Sequence, residues 1–323
     1  MKQTRRLLLR IRKNRAESAA AAALVGAALL TGIFREDSNL TTAADALRAS
    51  APLEYLAGAL EAGSTAASGE QEWDLANIDH DRVDYWIERF TTDKRSDFAI
   101  WLARKGQHQE MIATKLAERN MPQDLVYLAM IESGFNPKAY SHAHASGIWQ
   151  FIPETGQRYG LTINRAIDER NDPARATDAA LAYLSDLHDR FGSWYLAAAS
   201  YNTGENRVGR IMRETTGSER GSDSDYYLIW DRLPRETRDY VPLMIAAARI
   251  GKERAKYGFD TVEPRQPLAY VEMTVAPATP LATIARTTGT TVDAILQVNP
   301  HFKLERTRND MASVVRIPRE AAS

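Results

Sequence analysis

The chain has 323 residues, 44% of them hydrophobic and 26% charged, enough to bury a sizeable core and too apolar for global disorder. It contains no cysteine, which excludes disulfide scaffolds, thiolate metal sites and cysteine nucleophiles. Seven of its 41 bases lie in the first fifteen residues, leaving 34 against 42 acids thereafter, and a body that acidic has no footprint for nucleic acid.

That basic run precedes an uncharged, Ala- and Leu-rich segment at residues 18–34, the layout of an export signal. Residues 1–34 therefore read as a signal peptide or an uncleaved signal anchor. Seventeen uncharged residues is at the short limit for crossing a bilayer, so inner-membrane association through residues 18–34 is expected alongside a periplasmic or cell-envelope location. Residues 35–72, rich in Ala, Ser, Gly and Glu, read as a linker with one short helix near residues 53–60.

From Trp73 to residue 263 helical signals dominate. Val83, Trp86, Ile87 and Phe90 keep the i, i+3, i+4, i+7 spacing of a buried helix face, and Phe98, Trp101 and Leu102 open another. Pro122 and Gly134 bracket a compact helix. Asp172-Pro173 starts a further helix with Ala180, Leu184, Leu187 and Phe191 inward, and Ser193 caps the next. The last long helix is expected from Leu243 to Tyr257, after Pro242. No alternation of period two persists in this region, so no sheet of any size is expected there. After the Pro-rich break at 264–267 the texture changes: two short strands, at 270–275 and 314–318, bracket helical stretches at 280–288 and 291–298. The expected fold is mainly α, a helical domain at 73–263 followed by a small strand-helix-helix-strand module at 264–323.

Chemistry concentrates around Glu132. With Leu125, Leu128 and Ala129 it shares one stripe of an apolar helix, so burial and the negative end of the helix dipole both oppose its ionisation. A carboxyl kept protonated in this way suits a general acid. The competing reading is a helix-end carboxylate paired with a surface Lys or Arg, and local pattern does not separate the two.

The following residues do. Glu132-Ser133, Ser141, and the run Gly147-Ile148-Trp149-Gln150-Phe151-Ile152-Pro153-Glu154-Thr155 resemble the lytic transglycosylase family of the lysozyme superfamily. Ala199-Ser200-Tyr201-Asn202-Thr203-Gly204 and Glu236-Thr237-Arg238-Asp239-Tyr240-Val241 are similar to two further blocks of that family, and the spelling is nearest its membrane-bound transglycosylase D subgroup. The resemblance covers about residues 73–258. It implies a lysozyme-like helical catalytic domain that cleaves the β-1,4 bond between N-acetylmuramic acid and N-acetylglucosamine in peptidoglycan strands. Glu132 would serve as sole acid and base, leaving 1,6-anhydromuramoyl ends. It further implies that Ser141, Gln150, Tyr201, Asn202, Glu236 and Tyr240 bind substrate or orient the carboxyl. Taken singly, Gln150 also reads as a loop-tying amide, Tyr201 as a core aromatic and Glu236 as a helix-start carboxylate. Trp149 and Phe151 read as core.

His142 and His144 lack a third nearby ligand, so neither a metal nor another cofactor is expected. The C-terminal module resembles a lysin motif, a binder of N-acetylglucosamine-containing glycans, through Pro280-Leu281-Ala282-Thr283-Ile284-Ala285, Val292, Ile295, Asn299-Pro300 and Val315-Arg316-Ile317-Pro318. It departs at Ala278-Thr279, where the family has Gly-Asp in the sugar-contacting loop, which makes it a degenerate member. The alternatives to a transglycosylase are a muramidase that admits water and a catalytically idle wall-binding protein.

Overall fold

The computed structural model describes residues 73–319; the basic segment, residues 18–34 and the linker with its expected helix lie outside them. Residues 73–80 run extended to His80, whose ring nitrogen accepts the Arg82 N–H and caps helix α1 (Asp81–Thr91). Val83, Trp86 and Phe90 bury the expected stripe, while Ile87 is half-buried. Helix α2 (Arg95–Glu118) buries Phe98, Trp101 and Leu102 at one end and Ile112 and Leu116 at the other.

The compact helix follows. A single tight turn, Gln123–Leu125, leads into α3 (Val126–Ser133), in which every residue is buried. The Asp74 carboxylate accepts the N–H groups of Gln123 and Asp124 at its entrance, satisfying donors that a helix start leaves open. Gly134 ends it with φ 56° and ψ 37°. A Cβ there would also fall 2.2 Å from the Trp101 ring, so the position excludes a side chain twice over. Gly134→Ala is expected to lower stability by roughly 2–4 kcal/mol, left-handed strain and overpacking together, read as a drop in Tm.

Helix α4 (Pro153–Arg158) is short. Asp172 caps α5 (Pro173–Phe191) by accepting from Ala174 and Arg175, and Gly192 closes it. Ser193 Oγ accepts the Leu196 N–H to start α6 (Trp194–Thr203), whose Ala197, Ala198 and Ala199 are buried. Helices α7 (Glu205–Thr216) and α8 (Asp223–Leu228) lead to α9 (Arg235–Lys252). Helix α9 packs against α1, α3 and α6 and is the central element of the domain.

Its start corrects the expectation. The helix begins at Arg235 and runs through Pro242, where an interior proline ordinarily orphans the carbonyl four residues back. That carbonyl belongs to Arg238. It accepts the Tyr226 hydroxyl at 2.8 Å and the Trp230 indole N–H at 2.7 Å, so two side chains replace the donor that the ring removes.

In the C-terminal module β1 (Tyr270–Val275) pairs antiparallel with β2 (Ser313–Pro318), Tyr270 opposite Pro318, and these are the only strands among the described residues. Helices α10 (Leu281–Thr288) and α11 (Val292–Val298) pack beside them. Leu281, Ile284, Ile295, Phe302, Val315 and Ile317 form a core apart from the helical one, joined by Ile167 from the loop before α5. The mainly helical class expected from the sequence is the one observed.

Candidate active site

Three helices meet at Glu132. Helix α3 delivers the carboxyl from its last turn, only 3% exposed. Helix α9 brings Tyr240, whose hydroxyl donates to Glu132 Oε1 at 2.5 Å across 108 residues of sequence. Helix α6 brings Tyr201, fully buried and within electrostatic reach of the same carboxyl. Glu132 Oε2 accepts no hydrogen bond among the described residues, which leaves it for a reacting group.

Burial pushes the Glu132 carboxyl up to about 8; the Tyr240 hydrogen bond opposes this and the nearby Glu236 charge adds to it. The acid is therefore protonated at neutral pH for the reason its apolar helix suggested. Burial also raises Glu236 above the usual carboxylate range, against a hydrogen bond from Asn202.

The other expected residues divide. Asn202 Nδ2 donates to Glu236 Oε1 at 3.1 Å, and Thr237 Oγ1 donates to Asn202 Oδ1 at 2.8 Å. Asn202 thus ties α6 to the start of α9 and fixes the Glu236 head. Thr237 lies within a motif read from the sequence, but its type gave no sign of this bridging role. Tyr201 donates to the Trp149 carbonyl at 2.7 Å and packs on Phe151 and Tyr183, holding residues 149–151 onto α6.

Ser141 and Gln150 belong to the loop of residues 139–151 that follows α3. Ser141 Oγ accepts the Ala145 N–H. Gln150 Nε2 donates to the carbonyls of Ala139 and Gly147 at 3.2 and 2.8 Å, the loop-tying arrangement, while its Oε1 is buried without a partner among the described residues. Gln150 and His144 both hold positive φ, 48° and 61°, conformations that persist only where surrounding contacts enforce them. Ser133 Oγ donates to the Ile148 carbonyl at 2.9 Å, fastening the loop beside the carboxyl. Trp149 is core, its indole N–H donating to Thr177. His142 and His144 are exposed, and His144 Nδ1 lies 2.6 Å from the Tyr140 hydroxyl. Asp168 and Asp172, the acids nearest downstream, are occupied by Arg170 and Arg316. Among the described acids, Glu236 is the one whose charge reaches Glu132.

Residues 110–222 match the family described as Transglycosylase SLT domain. The chain is 34% identical over 226 residues to the membrane-bound lytic murein transglycosylase D of Escherichia coli (strain K12), covering 70% of this chain and 49% of that protein. It is 43% identical over 111 residues to a putative tributyltin chloride resistance protein of Alteromonas sp. (strain M-1), covering 34% of this chain and 54% of the other. The chain thus spans about half the length of these relatives. The 70 kDa soluble lytic transglycosylase Slt70 from Escherichia coli superposes with a TM-score of 0.41 at 21% identity, over 56% of this chain and 31% of that one. The helical unit that presents Glu132 is thus the part of the chain that is similar to the Transglycosylase SLT domain and to lytic transglycosylases.

Proposed function

We propose that this protein is a peptidoglycan lytic transglycosylase in which Glu132 is both acid and base. The observation that carries this reading is a buried carboxyl, protonated at neutral pH, with one oxygen held by Tyr240 and the other unengaged. Glu132 gives its proton to the glycosidic oxygen as the bond from muramoyl C1 breaks. The carboxylate then takes the proton of the C6 hydroxyl as that oxygen bonds to C1, so Glu132 ends protonated and no water is consumed. Tyr240 steadies the intervening carboxylate. The half-buried Glu236, fixed by Asn202, accepts from an acetamido N–H. Gln150 Oε1 and Ser141 face sugar hydroxyls, and Tyr201 supports the loop from below.

We further assign residues 73–263 to the catalytic domain and 264–323 to a degenerate lysin-motif-like module, joined through the 35–72 linker to a segment that exports the chain to the cell envelope and holds it at the inner membrane. No helix among the described residues is long and apolar enough to cross a membrane. A phosphatase fused at residue 70 is expected to be active only on the outer face of that membrane; activity confined to the cytoplasm would overturn the placement.

The reaction itself is tested by mass spectrometry of purified wall digested with the full chain. Anhydromuramoyl ends, lighter than reducing ends by one water, are expected. Reducing ends would identify a muramidase, and an untouched wall would leave an idle binder.

A further inference from the structure

Residues 164–172 have two faces. One supports the loop of residues 139–151, fastened beside Glu132 through Ser133. The Arg170 guanidinium, 4% exposed, donates to the carbonyls of His144 at 2.6 Å and Phe151 at 2.9 Å. Ser146 Oγ donates to Asn171 Oδ1 at 2.6 Å. Gly147, at φ 84°, sits so close that a Cβ would lie 1.8 Å from the Arg170 carbonyl oxygen.

The opposite face belongs to the C-terminal module. Ile167 is buried in the module's own core and pairs with Phe302. The Asp168 N–H donates to the His301 carbonyl, and the Lys303 N–H to the Ala166 carbonyl, both at 2.9 Å. Asp172, already the cap of α5, receives the Arg316 fork from β2 at 2.8 and 3.1 Å, and His301 Nδ1 lies 3.2 Å away. The Asp172 and Arg316 side chains are only 5% and 13% exposed. Burial opposes the Asp172 charge, but Arg316, His301 and the helix N–H donors hold its carboxyl below the usual range. A tethered glycan-binding appendage needs none of this. A buried, two-pronged pair ties geometry, and an apolar side chain lent to another core ties it further.

We propose that the C-terminal module is a positioning element of the active site, with Arg316 and Ile167 fixing residues 164–172 and those residues fixing the loop that carries Ser141 and Gln150. The catalytic half of this statement rests on the transglycosylase reading; the mechanical half does not. Arg316 touches no reacting atom and acts through Asp172.

The experiment compares full-length Arg316→Met with wild type on a soluble muropeptide disaccharide pair too short to span both units. In the folded variant the N–H groups of Ser141, Ser146 and Gly147, which donate to Ala145, Phe151 and Ala139, are expected to exchange at least about tenfold faster. On the short substrate kcat should fall about tenfold with KM within about twofold, the mark of a displaced group and not of lost binding. Asp172→Asn added to Arg316→Met removes the stranded buried charge without restoring the tie, so both losses should persist in the double variant, and their recovery would overturn the proposal. If Arg316→Met does not fold, Ile167→Ala carries the same two measurements. Unchanged loop exchange, or a rise in KM with kcat intact, overturns the proposal. A wild-type enzyme that gives no anhydro product overturns the transglycosylase reading alone and leaves the exchange result to decide this one.

Discussion

Glu132→Gln is expected to lower the rate of peptidoglycan cleavage by about 10²–10⁴, the loss that follows when a general acid can no longer deliver a proton. The amide keeps the volume and still accepts from Tyr240, so the fold should survive. Stability should in fact rise. Folding moves the Glu132 carboxyl from its ordinary 4.5 to about 8. Between those values the unfolded chain has released a proton that the folded chain retains, so wild-type stability falls as pH rises through the window and levels above it. At pH 7 the cost is on the order of 3 kcal/mol, at about 1.36 kcal/mol for each pH step above the ordinary value. The amide variant has no such cost, and its Tm advantage should widen from about pH 5 to about pH 8. In wild type, kcat/KM should decline above about pH 8 as the acid form is lost. A variant that releases anhydromuropeptides at more than about a tenth of the wild-type rate would show that another group is the acid.

Tyr240→Phe carries the next largest effect. The phenol is fully buried, with its own proton held well above the usual tyrosine range by burial and by the Glu132 charge, so it serves only as a donor. Its bond at 2.5 Å favours the ionised carboxyl; losing it withdraws about 1.5–3 kcal/mol from that form, or about one to two pKa units. The acid becomes weaker and freer to rotate, and kcat should fall about ten- to a hundredfold. The alkaline limb of kcat/KM should move upward at the same time. A rate within about twofold of wild type and an unmoved limb would reduce Tyr240 to packing.

Much of this is legible where the information is local. The stripes of α1 and α2, the caps at Asp172 and Ser193, and the apolar seat of Glu132 depend on side chains three or four residues apart, and they fall where the spacing puts them. Both strands and both helices of the small module do as well. Helix α7 escapes the pattern, because Glu205, Asn206, Arg207, Arg210, Arg213 and Glu214 leave only Val208, Ile211 and Met212 as an inward signal. The start of α9 lies ahead of Pro242 for a reason helical spacing does not carry: the donors that rescue the interior proline, Tyr226 and Trp230, precede Arg238 by 12 and 8 residues and lie outside α9. A far greater distance hides the site's wiring. Tyr240 reaches Glu132 over 108 residues and Arg316 reaches Asp172 over 144; no periodicity records such meetings. Gln150 shows a subtler gap: its motif marks the residue, but its amide nitrogen is spent on two carbonyls of its own loop, and only Oε1 remains for a ligand.

The completely buried α3 has a bearing on when the proposed acid comes into being. Eight residues without a polar face make a helix far below the length that holds itself in water; it exists only once α2 and α9 pack against it. Until then Glu132 is an ordinary solvated carboxyl, ionised at neutral pH and useless as a proton donor. On the proposed reading, a chain that is not yet folded therefore has no acid with which to cut. On that reading the acid itself is a product of complete folding.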